Sequence, residues 1–332
     1  MLKKFAYVRP GSLKEALKHL SSEGGKVHAG GTDLLGCLRE QTFEAKTVVS
    51  ISGIKSLRGI TKNGSGGLRI GALTTITDVA ENPEIQRHYT SLARAASEVA
   101  SPQLRNQGTI GGNICQKPRC WYYRGDFHCL RKGGEQCFAQ GGENAFHCIL
   151  GGENCYIVHP SDTAPALAAL GARAHIAGPE GKRIVPLESF FVSPEKDYTR
   201  ETVIGSNEIV TEIELPPYEE GLRSSYRKVR ARRSWDFALA GVALAMVFEG
   251  ETVKKARVYL SGVAPIPWRA TGVEDLITGK KLDADLAAKA GSAAILKAKP
   301  LEQNGYKIFL TRGVVEEELQ AMAGANAEKK GS

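Results

Sequence analysis

Cys115, Cys120, Cys129, Cys137, Cys148 and Cys155 crowd into a 41-residue window of this 332-residue chain, where even scatter of its seven cysteines would place fewer than one. The opening Met-Leu-Lys-Lys-Phe-Ala lacks the apolar stretch of a secretory leader, so the expected compartment is the cytoplasm. Thiols stay reduced there, and such a group is expected to hold metal instead of pairing as disulfides. Four thiolates suit an iron-sulfur cluster or zinc. The glycine pairs 133–134, 141–142 and 151–152 among them let backbone N–H groups approach cluster sulfur. The spacings do not decide between the metals.

Two other glycine segments could handle phosphate. Gly30-Gly31-Thr32-Asp33-Leu34-Leu35 follows a short apparent strand over 26–29, and Gly108-Thr109-Ile110-Gly111-Gly112-Asn113-Ile114 follows Pro102-Gln103-Leu104-Arg105-Asn106. Adjacent glycines let N–H groups converge without side-chain interference, and Thr32 adds a hydroxyl. Neither segment is the G-x-G-x-x-G of a dinucleotide fold. Each alone could be a tight turn, whereas the two together suit a ligand with two phosphates gripped from both sides.

The elements that must position these residues can be read from local signals. Ser12 and Glu15 cap a helix with Leu13, Ala16, Leu17 and Leu20 on one face, ended by Gly24-Gly25. Residues 47–51 alternate as a strand, and 57–60 with 68–70 flank the hairpin signal Asn63-Gly64-Ser65-Gly66-Gly67. A helix is expected over 91–99 and another over 163–170, while 115–155 shows little periodicity. Pro216-Pro217-Tyr218-Glu219-Glu220-Gly221 reads as a boundary between domains 1–220 and 221–325. Beyond it come strands over 238–248 and 255–263, helices from Thr271 and over 284–297, and a small, charged end from Ala323, with 326–332 as a tail.

A chain that is 42% hydrophobic and 24% charged can bury two cores. Its longest apolar run, 237–248, is about half of the roughly 20 residues that cross a bilayer, so no membrane span is expected. The net charge of +8 is dispersed, which argues against nucleic acid and for acidic ligands or an acidic subunit. Arg227, Lys228, Arg230, Arg232 and Arg233 form the one dense basic stretch, and their partial alternation fits a strand with one wet face for all of them but Lys228.

Four stretches occur in the order found in the FAD subunits of xanthine dehydrogenase-type molybdenum hydroxylases: Ala29-Gly30-Gly31-Thr32-Asp33-Leu34, Ile70-Gly71-Ala72-Leu73-Thr74-Thr75, Gln107-Gly108-Thr109-Ile110-Gly111-Gly112-Asn113 and Ser161-Asp162-Thr163-Ala164-Pro165-Ala166-Leu167. Val258-Tyr259-Leu260-Ser261-Gly262-Val263-Ala264-Pro265 resembles the small end domain of carbon monoxide dehydrogenase flavoproteins. The resemblance spans nearly the whole chain. It implies an α+β architecture: a two-subdomain FAD-binding fold of the vanillyl-alcohol oxidase/PCMH type interrupted by the 115–155 insertion, then a small C-terminal α+β domain of the carbon monoxide dehydrogenase flavoprotein type. It also implies non-covalent FAD, its diphosphate between His28, Ala29, Gly30, Gly31, Thr32, Asp33, Leu34 and Leu35 on one side and Thr109, Ile110, Gly111, Gly112 and Asn113 on the other. Asp162, Val210 and Lys228 match residues near the flavin, and a cation there can stabilise negative charge developing on the reduced ring.

The insertion is similar to that of the 4-hydroxybenzoyl-CoA reductase β subunit, whose loop holds a 4Fe-4S cluster. By that likeness the ligands are Cys120, Cys129, Cys137 and Cys155; Cys115 and Cys148 have no assigned role, being either small buried hydrophobes or members of the cluster set, and Cys37 reads as core. His128 and His147 flank a complete thiolate set. The implied function is electron transfer between FAD, 2Fe-2S clusters on a small partner subunit, a large molybdopterin-binding partner and an external carrier, ferredoxin or NAD, in a heterotrimer or its dimer. No residue in this chain is assigned to catalysis on the organic substrate. Two other readings compete: a stand-alone flavin oxidase, with His28 as the nearby flavin-linking candidate, and a zinc-stapled binding module, which leaves the glycine segments unexplained.

Overall fold

A computed structural model of the chain describes residues 2–328, and the side chains through 324. In the first part, strands β1 (Ala6–Val8), β2 (Gly25–His28) and β3 (Thr47–Ser50) pair in parallel with β3 in the middle. Helices α1 (Leu13–Leu20) and α2 (Leu34–Arg39) make the two crossovers that parallel pairing requires. The Ser12 hydroxyl accepts from Glu15 N at 3.2 Å and starts α1, whose Ala16 and Leu20 bury against Val49 and Ile51. The turn from β2 into α2 therefore carries Gly30 and Gly31 on a short, rigid support.

A second sheet is antiparallel, in the order β4 (Ile60–Lys62), β5 (Leu68–Gly71), β8 (Ile209–Leu215), β6 (Arg173–Gly178), β7 (Gly181–Pro186). The hairpin between β4 and β5 closes as the sequence suggests: the Asn63 side-chain oxygen accepts from Ser65 N and Gly67 N at 3.1 and 2.7 Å. Helices α3 (Ile76–Glu81), α4 (Pro83–His88), α5 (Thr90–Ser97), α6 (Pro102–Gln107) and α7 (Ile110–Ile114) follow β5, and α8 (Trp121–Arg124) opens the insertion. Buried α9 (Thr163–Ala169) precedes β6, and α10 (Pro194–Asp197) precedes β8. The second glycine segment is a helical turn, not a loop, because the Thr109 hydroxyl caps α7 by accepting from Gly112 N at 3.2 Å.

The last sheet runs β12 (Trp268–Arg269), β11 (Thr252–Ser261), β10 (Ala240–Glu249), β9 (Leu222–Val229), all antiparallel. Every residue of β10 from Ala240 to Phe248 is buried. Ala243 and Ala245 join the core of the first part, while Val242, Leu244 and Met246 join a second core with α11 (Thr271–Ile277), α12 (Ala284–Ala294) and α13 (Tyr306–Glu328). Helix α13 corrects the reading of a tail from Ala323: alanine and glutamate favour helix, and the preceding turns propagate through Glu328. The rest of the expected tail, 329–332, lies outside the described residues. Among the described residues no helix is long and apolar enough to cross a membrane.

The insertion has little regular structure, yet the α12–α13 connection holds it closely. Asn144 and Gln303 exchange two hydrogen bonds, Asn144 N to Gln303 Oε1 at 3.1 Å and Gln303 N to Asn144 Oδ1 at 2.9 Å. The fully buried Asn304 donates its amide to the carbonyls of His147 and Cys148 at 3.1 and 3.0 Å and accepts from Leu301 N at 2.7 Å. Asn304→Ala should strand those buried groups and cost about 1–3 kcal/mol, measured by urea unfolding; an unchanged midpoint would refute this role.

Candidate functional site

A cavity of about 510 Å³ opens where the two glycine segments meet, a size suited to a small-molecule ligand. Glycine is required at position 30 by proximity: a Cβ there would lie 2.0 Å from the Gln107 carbonyl oxygen. The Gln107 side chain also donates to Gly30 O at 3.2 Å. Gly31 has φ +75°, and a Cβ on it would meet His28 Nε2 at 2.6 Å. Gly111 packs on Ala72, where an added Cβ would fall 2.8 Å from the alanine methyl. Backbone N–H groups of this second segment are already engaged: Ile110 donates to Thr74 O, Gly111 to Ala72 O, Gly112 to the Thr109 hydroxyl and Asn113 to Thr109 O. Its glycines thus serve close packing.

Of the residues expected to hold the cofactor, Ala29, Gly30, Gly31, Thr32, Asp33, Leu34, Thr109, Gly111, Gly112, Asn113, Asp162 and Val210 line this cavity. His28, Leu35, Ile110 and Lys228 stand outside its lining. The His28 ring lies edge-on to Tyr7 at 6.2 Å with Nδ1 buried and unpartnered. Ile110 is fully buried in the core. Lys228, the one member of the basic stretch expected near the flavin and not on a wet face, has a side chain that is 0% exposed and pairs with Asp162 at 2.8 Å. Asp162 also accepts from the Tyr226 hydroxyl at 2.8 Å. Burial pushes its carboxyl upward, against the pull of Lys228.

Asn113 ties the second segment to the Ser-Asp stretch. Its side-chain oxygen accepts from Ser161 Oγ at 2.5 Å and Thr163 Oγ1 at 2.6 Å, all buried. Ser161 N in turn donates to His159 Nδ1 at 3.3 Å.

Lys26, Phe43, Lys117, Arg119, Glu201 and Phe237 also line the cavity, and sequence reasoning missed them. The alternation of Lys117 and Arg119 just before Cys120 was the available signal for two of them. Asp33 accepts from Lys117 N at 2.8 Å, Arg119 Nη1 at 2.9 Å and Arg124 Nη2 at 2.7 Å. Glu201 pairs with Lys117 and with Arg131, whose side chain is almost wholly buried. Cations on both sides hold its carboxyl below the ordinary range despite burial. Arg119 stacks over Phe237 at 5.1 Å, on a rim segment where Trp235 takes φ +53° and donates its N–H to Ala100 O at 2.9 Å.

Beyond Arg119 lies a second, much smaller cavity lined by Cys120, Cys129, Cys137 and Cys155. All seven cysteines are free. Cys137 and Cys155 hydrogen-bond to each other; this lowers the Cys137 thiol to about 6 and raises that of Cys155. Burial pushes Cys120 up to about 11. Cys115 lines the larger cavity with its thiol pushed up to about 12, and Cys148 is fully buried. Among the described residues no three His, Cys, Asp or Glu are grouped to hold a single metal ion.

Residues 3–218 match the family described as the FAD binding domain in molybdopterin dehydrogenase, and residues 224–315 the carbon monoxide dehydrogenase flavoprotein C-terminal domain. The chain is 35% identical over 321 residues to the aldehyde oxidoreductase FAD-binding subunit PaoB of Escherichia coli K12, covering 94% of this chain and 96% of that one. It is 31% identical over 325 residues to the carbon monoxide dehydrogenase medium chain of Hydrogenophaga pseudoflava, covering 96% of each. A solved structure of carbon monoxide dehydrogenase from H. pseudoflava, lacking the Mo-pyranopterin moiety of its molybdenum cofactor, superposes with TM-score 0.78 at 30% identity, over 98% of this chain and 99% of that one.

Full burial lowers the His159 pKa from 6.5 to about 4. Between those values the unfolded chain binds a proton that the folded chain does not, so stability is complete above about pH 6.5 and falls as pH drops through the window. Denaturant unfolding at pH 5 should show a loss on the order of 2 kcal/mol relative to pH 7 from this ring. His159→Gln should shrink that difference, and an equal pH dependence in the variant would contradict the assignment.

Proposed function

The chain belongs to the FAD-binding medium subunits of the molybdenum hydroxylase (carbon monoxide/xanthine dehydrogenase) family, and from that premise we propose that it is the flavin-bearing electron-transfer subunit of a larger oxidoreductase. The observation that carries this reading is the backbone contact of Gly30 with Gln107 at the wall of the 510 Å³ cavity. It joins segments distant in sequence into one surface without side chains between them, as a long diphosphate ligand requires. When bound, FAD supplies exchange of electrons singly or in pairs.

The residues that hold it, in this reading, are the cavity-lining members of the two glycine segments together with Asp162 and Val210. His28 supports the Gly31 turn from behind, the buried Ile110 anchors the second segment, Leu35 continues the first segment into its helix, and Lys228 orients Asp162 and offsets its charge. Thr32 offers a hydroxyl. Lys117 and Arg119 also line the wall, paired with Glu201 and Asp33. The chain divides into a flavin domain, 1–220, and a C-terminal domain, 221–325. Its partners are a large molybdopterin-binding subunit and a small 2Fe-2S subunit, in a cytoplasmic heterotrimer or its dimer.

The insertion, of the 4-hydroxybenzoyl-CoA reductase type, carries a 4Fe-4S cluster on Cys120, Cys129, Cys137 and Cys155 and serves an outside carrier, ferredoxin or NAD. Supporting this, the four thiols surround one small cavity. Zinc would draw its sulfurs to about 2.3 Å from a single point, whereas a cluster spreads four thiolates over several irons. The low Cys137 thiol provides a ready thiolate.

Purified chain reconstituted with FAD, iron and sulfide should show flavin bands over broad iron-sulfur absorption. Gly30→Ala should weaken FAD binding at least tenfold, about 1.4 kcal/mol, and Cys137→Ser should lose iron while keeping flavin. A wild-type chain that stays colourless would sink the reading; flavin without iron would sink its cluster part alone.

A further inference from the structure

The His147 ring stands at the wall of the cysteine-lined cavity, between Trp121, edge-on at 5.7 Å, and Tyr122, tilted at 6.1 Å. The residue is only 4% exposed. Its Nε2 lies 3.3 Å from Cys120 Sγ. A neutral imidazole carries one N–H. Were Nε2 the acceptor, Cys120 would have to be a protonated thiol, and a thiol does not ligate metal. With Cys120 as a thiolate ligand, the proton sits on Nε2 and the ring donates.

The backbone beneath the ring is fixed from the C-terminal helices. Asn304 binds the carbonyls of His147 and Cys148, and the buried ammonium of Lys307 donates to the carbonyls of Phe146 at 3.0 Å and Gly262 at 2.7 Å. Residues remote in sequence thus aim one ring nitrogen at one sulfur. Such bonds withdraw charge from the thiolate and favour the more negative, reduced form of the centre behind it.

We propose that His147 is a positioning residue that donates its Nε2–H to the Cys120 thiolate and raises the reduction potential of the iron-sulfur group on the four cysteines. The inference rests on the cluster reading of the insertion. Its test uses the full chain reconstituted with FAD, iron and sulfide, comparing wild type, His147→Leu and His147→Gln. Iron and FAD contents are measured alongside the cluster midpoint potential from a titration followed by electron paramagnetic resonance.

His147→Leu should keep its iron and flavin and shift the midpoint to more negative values; His147→Gln, which retains an N–H donor, should recover part of the shift. If His147→Leu fails to fold, His147→Phe, which preserves a ring between Trp121 and Tyr122, is read in its place. An unmoved or more positive midpoint overturns the proposal. So does iron lost from both His147 variants but retained by Cys120→Ser, which would make the ring itself the ligand. An iron-free wild-type chain overturns the cluster reading and this inference together, whereas an iron-bearing chain with unmoved potential overturns this inference alone.

Discussion

The carboxylate of Asp33 stands in the wall of the larger cavity, where the first glycine turn meets the cysteine-rich segment. It accepts the Lys117 backbone N–H and the guanidinium groups of Arg119 and Arg124. Charge-assisted bonds of this kind are short and strong, and arginine adds directional geometry. Glu201 acts in parallel from the other side through Lys117 and Arg131. Deleting either carboxylate would leave several cations close together with little water to screen them, so the pairing specifies one position for the segment even where its net contribution to stability is small.

One consequence is that the wall of the large cavity and the frame of the small one are the same piece of chain. Arg119 lines the first and Cys120 the second, one peptide bond apart. A flavin and a metal group held in these places would have their separation set by covalent geometry and by Asp33, not by the docking of mobile parts. Asn113, Ser161 and Thr163 fix the opposite wall with three side chains that satisfy one another in a buried position.

Local signals made part of this legible. Helix α1 could be read from Ser12 and Glu15, and the β4–β5 hairpin from Asn63 and its glycines, because each rests on contacts within a few residues. The glycine pair in α7 concealed a helical turn: its cap is local, but its stability comes from Ala72, far away in sequence. Lys228 is set apart from its basic neighbours by the family likeness alone, because its partner, Asp162, lies 66 residues earlier and no pattern in its own strand could show that it is buried. The same holds for Glu201 and its cations. The family likeness chose four of six clustered cysteines, a choice that spacing could not make, and those four line a single cavity while Cys115 faces the larger one.

Strand β10 gives alternate residues to two cores, Ala243 and Ala245 to one and Val242, Leu244 and Met246 to the other. Neither half of the molecule can therefore melt without exposing a face of the same strand. A gene fragment ending before this strand would leave the apolar face that Ala243 and Ala245 cover open to water, a surface that favours aggregation.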